Sequence, residues 1–136
     1  MNKPLTGVTR RKLRSSEWFN NSHNPGMTAL YLERIERLDP ELNSFVTVVD
    51  EPEAPRDGPF HGVPISIKDL NETAGLRTTY STKAFASNVP SFDAAVVRRI
   101  REAGFLVLGK TNTPELGTIG MTESSLNGDC RNPWDL

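Results

Sequence analysis

Lys68 and Asp69 stand together at the end of a short run, Val63-Pro64-Ile65-Ser66-Ile67, in which apolar residues alternate with Pro64 and Ser66. That alternation predicts a strand, and a charged pair at the end of a strand is well sited for chemistry. A lysine in this position is expected to be partly stripped of water, which favours the neutral amine able to accept a proton, so Lys68 is a candidate base. The alternative is structural: Lys68 paired with the adjacent Asp69 or with another carboxylate.

Other chemistries find little support. The 136 residues contain no Gly-x-Ser-x-Gly elbow, no Gly-Gly-Ser run and no phosphate-cradling glycine loop. His23 lies in a polar turn and His61 beside Gly62 ahead of the strand, and both read as turn or surface residues. The acids form neither a glycosidase nor a metal pattern, and the single cysteine, Cys130, offers neither an internal disulfide nor a zinc cluster, so neither a disulfide scaffold nor a zinc module is expected. A chain of this length, 36% hydrophobic and 24% charged with a net charge of −1, fits one soluble domain with no electrostatic call for nucleic acid. No apolar run approaches the roughly 18–20 residues of a bilayer span, and no signal-peptide core follows Met1, which predicts a cytoplasmic protein away from membranes.

Several elements must position Lys68. Residues 1–27 form a basic arm, with Lys3, Arg10, Arg11, Lys12 and Arg14 against Glu17, expected to be poorly ordered. Met27, Tyr31, Ile35 and Leu38 then share one face of a helix that should stop at Asp39-Pro40, with Glu33, Arg34, Glu36 and Arg37 facing solvent. Residues 44–49 read as a strand and the proline-rich stretch 50–59 as a loop. A second helix is expected from near Ser91, with Val96, Val97, Ile100 and Ala103 on one face and Gly104 as its stop. Phe105-Leu106-Val107-Leu108 follows as a strand buried on both faces, the pattern of an α/β protein with parallel strands. Thr113-Pro114-Glu115 resembles a helix start, and residues 121–136 a loop.

The motifs are more telling together. Gly62-Val63-Pro64-Ile65-Ser66-Ile67-Lys68-Asp69-Leu70, Gly75-Leu76-Arg77-Thr78-Thr79, Asp93-Ala94-Ala95-Val96-Val97, Ala103-Gly104, Gly109-Lys110-Thr111-Asn112-Thr113-Pro114-Glu115 and Asn132-Pro133-Trp134-Asp135-Leu136 resemble the amidase signature family in order and spacing. The resemblance covers residues 28–136. It implies an α/β fold, a partial mixed sheet flanked by helices, forming the N-terminal part of an α/β/α sandwich. It also implies cleavage of carboxylic amide C–N bonds by a Ser–cis-Ser–Lys triad, without metal or cofactor, whose lysine matches Lys68. Gly117 and Ile119, after the Pro-Glu motif, would line the acyl pocket.

The family's serine-bearing Gly-Gly-Ser-Ser-Gly-Gly stretch does not occur among residues 1–136, and Ser124-Ser125 lack its glycine context. The domain over residues 28–136 is therefore expected to be incomplete and inactive alone. Its partners would be a small amide substrate in the full-length enzyme and a complementing fragment or second copy. An alternative is a non-catalytic or split-enzyme module. Ser81-Thr82 stands where the family usually has Gly-Ser. Residues 13–34 also resemble the N-terminus of dihydroxy-acid and sugar-acid dehydratases, suggesting a fusion, although the iron–sulfur ligands of that family have no counterpart here.

Overall fold

The computed structural model describes residues 25–135. His23 and nearly all of the basic, dehydratase-like arm lie outside that range. The described chain runs α1 (Pro25–Leu42), β1 (Phe45–Val48), β2 (Pro64–Lys68), a 3-10 turn (Lys83–Phe85), α2 (Ala95–Glu102), β3 (Leu106–Thr111) and a second 3-10 turn (Glu115–Gly117). The strands form one mixed sheet in the order β1-β3-β2, with β3 antiparallel to β1 and parallel to β2. The continuous apolar run thus takes the centre, where both of its neighbours bond it and Leu106 and Leu108 are buried.

The first helix does not stop at Pro40. It continues to Leu42, because a proline in the last turn forfeits only one amide donor, and Asn43 at φ 51° ends it instead. Asp39 acts as the clasp: its carbonyl accepts the Asn43 N–H at 2.7 Å. Its Oδ1 accepts the Ser44 and Phe45 N–H groups at 2.7 and 3.0 Å, turning the chain into β1.

The second helix begins at Ala95 rather than near Ser91. Asp93 is held back, accepting the Ala74 N–H at 2.8 Å, while the Ala94 N–H binds the Glu72 carbonyl. Only Val97 of its expected face is fully buried, and Val96 is exposed. Gly104 does end this segment, at φ 93°, where a Cβ would sit 2.8 Å from the Arg56 carbonyl oxygen. The expected helix at Thr113-Pro114-Glu115 shrinks to one 3-10 turn, since Leu116 turns left-handed at φ 53° and Thr113, buried, caps nothing.

Gly109 sets the spacing of the sheet. A Cβ there would fall on the Thr47 carbonyl oxygen and 3.1 Å from the Val48 Cα. Gly109→Ala should push β1 off β3 and lower stability by about 1–3 kcal/mol, the usual range for overpacking. A urea midpoint unchanged from wild type would contradict this reading of the close approach.

Candidate active site

Strand pleating separates Lys68 from Asp69. Ser66 and Lys68 point to the exposed side of β2, whereas Ile67 and Asp69 point into the protein. The expected partial desolvation of Lys68 is not found: it is exposed, and its side chain makes no hydrogen bond or ion pair with another described residue. Nor is Asp69 its partner. The lysine stripped of water is Lys110 on β3, fully buried, with Nζ 3.6 Å from Asp69 Oδ1.

The reason lies in the register. Lys110 pairs with Ile67 and Thr111 with Lys68, so Lys110 shares the inward face with Ile67 and Asp69. Its ammonium donates to Thr78 Oγ1 at 2.6 Å and to the Asn71 carbonyl at 2.7 Å. Burial pushes the Lys110 pKa below its ordinary value, while the Asp69 and Glu72 carboxylates pull it upward.

Asp69 is fastened from all sides. Its N–H donates to Thr111 O and its carbonyl accepts the Tyr80 N–H. Its Oδ2 accepts the Thr79 N–H at 3.1 Å and the Thr79 hydroxyl at 2.6 Å. Oδ1 has no hydrogen bond, only the ion pair with Lys110.

Around this pair the backbone is strained. Tyr80, Ser81 and Leu116 all adopt left-handed conformations, at φ 52°, 52° and 53°, which cost non-glycine residues of order 1–3 kcal/mol each. Such strain persists only where the surroundings over-determine it. The Leu116 N–H binds the Tyr80 carbonyl at 2.8 Å, and the Ser81 N–H binds Thr79 Oγ1 at 3.1 Å. Asn127 donates to the Ser81 hydroxyl at 3.0 Å, tying residues 121–135 to the same corner. The left-handed φ explains why a glycine would suit position 81, and these bonds explain how serine is held there.

Gly117 packs beside this corner, because a Cβ on it would meet the Leu70 Cδ1 at 2.7 Å. Ile119 lies further out and is exposed. Ser124 is engaged elsewhere, its hydroxyl accepting the Asn127 N–H at 2.9 Å, and His61 Nδ1 lies 3.0 Å from the Arg56 carbonyl. A cavity of about 250 Å³ lined by Val49, Glu53, Arg56, Leu76, Arg101 and Phe105 among others does not include Lys68 in its lining. Among the described residues, no three His, Cys, Asp or Glu side chains are grouped to hold a metal ion. No helix among them is long and apolar enough to cross a membrane.

Sequence reasoning missed Lys110 and Thr79 as parts of this corner. The signal was present: a charged residue continuing an apolar central strand must find a buried counter-charge.

A family model described as Amidase matches residues 26–136. The chain belongs to the amidase family. It is 44% identical over 107 residues to a glutamyl-tRNA(Gln) amidotransferase subunit of Pseudothermotoga lettingae, an alignment covering 79% of this chain and 23% of that protein. It is also 39% identical to an acylamidase of Rhodococcus erythropolis, over 97% of this chain and 30% of the relative. The crystal structure of the corresponding amidotransferase protein of Thermotoga maritima superposes with a TM-score of 0.76 at 38% identity, covering 92% of this chain and 26% of that one. This amidase-family chain thus spans about a quarter of the length of the relatives it matches.

One titration checks the corner. Tyr80 Oη donates to Glu72 Oε1 at 2.7 Å, which lowers the Glu72 pKa and pushes that of Tyr80 up to about 12. The neutral tyrosine is favoured in the fold, so this contribution to stability is present below pH 10 and lost as pH rises towards 12. For Glu72 the sign reverses: its contribution is present above 4.5 and lost as pH falls through its lowered folded value. Tyrosinate absorbance should show a step near pH 12 that moves towards 10 in Glu72→Gln. The same step position in both proteins would show that the Glu72 contact does not hold the phenol.

Proposed function

We propose that this chain supplies the lysine of an amide-hydrolysing Ser–Ser–Lys triad, with Lys68 in that role. The observation that carries the reading is the placement of Lys68: exposed and unengaged at the end of β2, with the next residue locked beneath it and the strained Tyr80-Ser81 and Leu116 turns alongside. An active-site lysine needs such a combination of free amine and fixed backbone. In this reading a serine-bearing segment covers the exposed side of β2, strips water from Lys68 and favours the neutral amine. Lys68 then takes a proton through the bridging serine while the nucleophilic serine attacks the amide carbonyl, and the relay returns the proton to the departing amine. No step draws on a metal or cofactor.

Gly117 and Ile119 fit the acyl side of such a site. Gly117 sits on Leu70, two residues beyond Lys68, and Ile119 presents an exposed apolar side chain on the same loop. The name of one relative, an acylamidase, suggests an acyl amide as substrate. The serine-bearing segment can be joined to this chain or arrive as a complementing fragment; the exposed Ser66 and Lys68 side of β2 favours such a covering in either case. The setting is cytoplasmic, where the lone Cys130 stays reduced.

The purified 136-residue chain should show no amide hydrolysis above buffer. Supplied with the serine-bearing segment, it should hydrolyse a simple anilide, and Lys68→Ala should lower that rate by roughly 10²–10⁴-fold. Turnover by the chain alone, or turnover in the completed protein that survives Lys68→Ala, would rule out the reading.

A further inference from the structure

We infer that Asp69 and Lys110 are a positioning pair, which fixes the backbone of β2 beneath Lys68 and so holds the reacting amine in register with the groups it must serve. The inference rests on the proposed role of Lys68. Its own support is the geometry of the pair. Lys110 leaves β3 opposite Ile67, one register step from the Thr111–Lys68 pairing, and reaches under the end of β2. There its ammonium ties three segments together: β3 itself, the turn after β2 through Asn71 O, and the loop before Tyr80 through Thr78 Oγ1. The Asp69 side chain holds the same loop through the Thr79 N–H and hydroxyl, alongside its backbone bonds to Thr111 O and the Tyr80 N–H.

Stability alone does not account for such an arrangement. Both side chains are fully buried, and desolvating two charges offsets most of their attraction, so an apolar pair of similar volume would hold the fold about as well. What an apolar pair cannot do is direct several hydrogen bonds at one strand end. Asp69 Oδ1 is also left with Lys110 as its sole partner, so this oxygen depends on that one ammonium while Oδ2 is held by Thr79. Lys68 itself has no described side-chain partner, so its Cα–Cβ direction is set by the residues on either side and by this pair in particular.

The test uses the chain completed with the serine-bearing segment and compares wild type, Asp69→Asn, the neutral double variant Asp69→Asn/Lys110→Met, Lys68→Ala and Val97→Ala. The double variant should fold because it removes both buried charges together, and Asp69→Asn because the remaining amine can shed its proton. Their kcat should fall by about 10- to 100-fold, with KM within about threefold, the signature of a misplaced reacting group. Val97→Ala removes a fully buried core side chain in α2 and should also lower stability, yet keep kcat within about twofold. The inference is overturned by a folded double variant with wild-type kcat, by a loss confined to KM, or by an equal loss of kcat in Val97→Ala. Turnover that survives Lys68→Ala, or none in the completed wild type, would instead remove the triad reading, and the positioning role with it.

Discussion

The end of β2 is governed by one carboxylate that has no access to water. Asp69, whose Oδ1 lies 3.6 Å from the Lys110 Nζ, has to be matched from inside the protein, because an unpaired buried carboxylate costs several kcal/mol. Meeting that demand recruits the Thr79 N–H and hydroxyl, which bends the chain into the left-handed Tyr80-Ser81 turn. Lys110 in turn requires Thr78 and Asn71. The loop after β2, the turn at Leu116 and the Asn127 arm are all built outward from this requirement.

The interior is correspondingly polar. Among the described residues, Ile67, Val97, Leu106 and Leu108 are the buried hydrophobic side chains, against a longer set of buried polar ones that includes Asp69, Thr73, Thr78, Thr79, Ser81, Lys110 and Asn112. Hydrogen-bond geometry therefore carries much of the specification at this end of the sheet, and networks of this kind are rigid when complete and fragile when one member is removed. That rigidity suits a corner which fixes a strand end while leaving the opposite side of the strand open. The exposed Val48, Leu116, Ile119, Met121 and Trp134 lie on segments that flank the sheet or follow it.

Much of the architecture was legible from residue patterns. The run at 105–108 announced a buried central strand, the alternation at 63–67 announced β2, and six ordered motifs announced the family. What escaped was tertiary. Pro40 looked like a stop, but the clasp by Asp39 and the left-handed Asn43 decide where α1 ends. Ser91 looked like the start of α2, but Asp93 is committed to the Ala74 amide. Lys68 looked desolvated because it closes an apolar run, yet the pleat turns it outward and burial falls on Lys110, whose inward direction depends on a register that no local pattern contains.

The central claim is that the open side of β2, carrying Lys68, is where the rest of the reacting group assembly is seated. Amine acylation followed by mass spectrometry reads this directly. In the chain alone Lys68 should be modified and the fully buried Lys110 spared, and adding the serine-bearing segment should protect Lys68 while exposed Lys83 stays reactive. Lys68 that reacts equally with and without that segment would contradict the account.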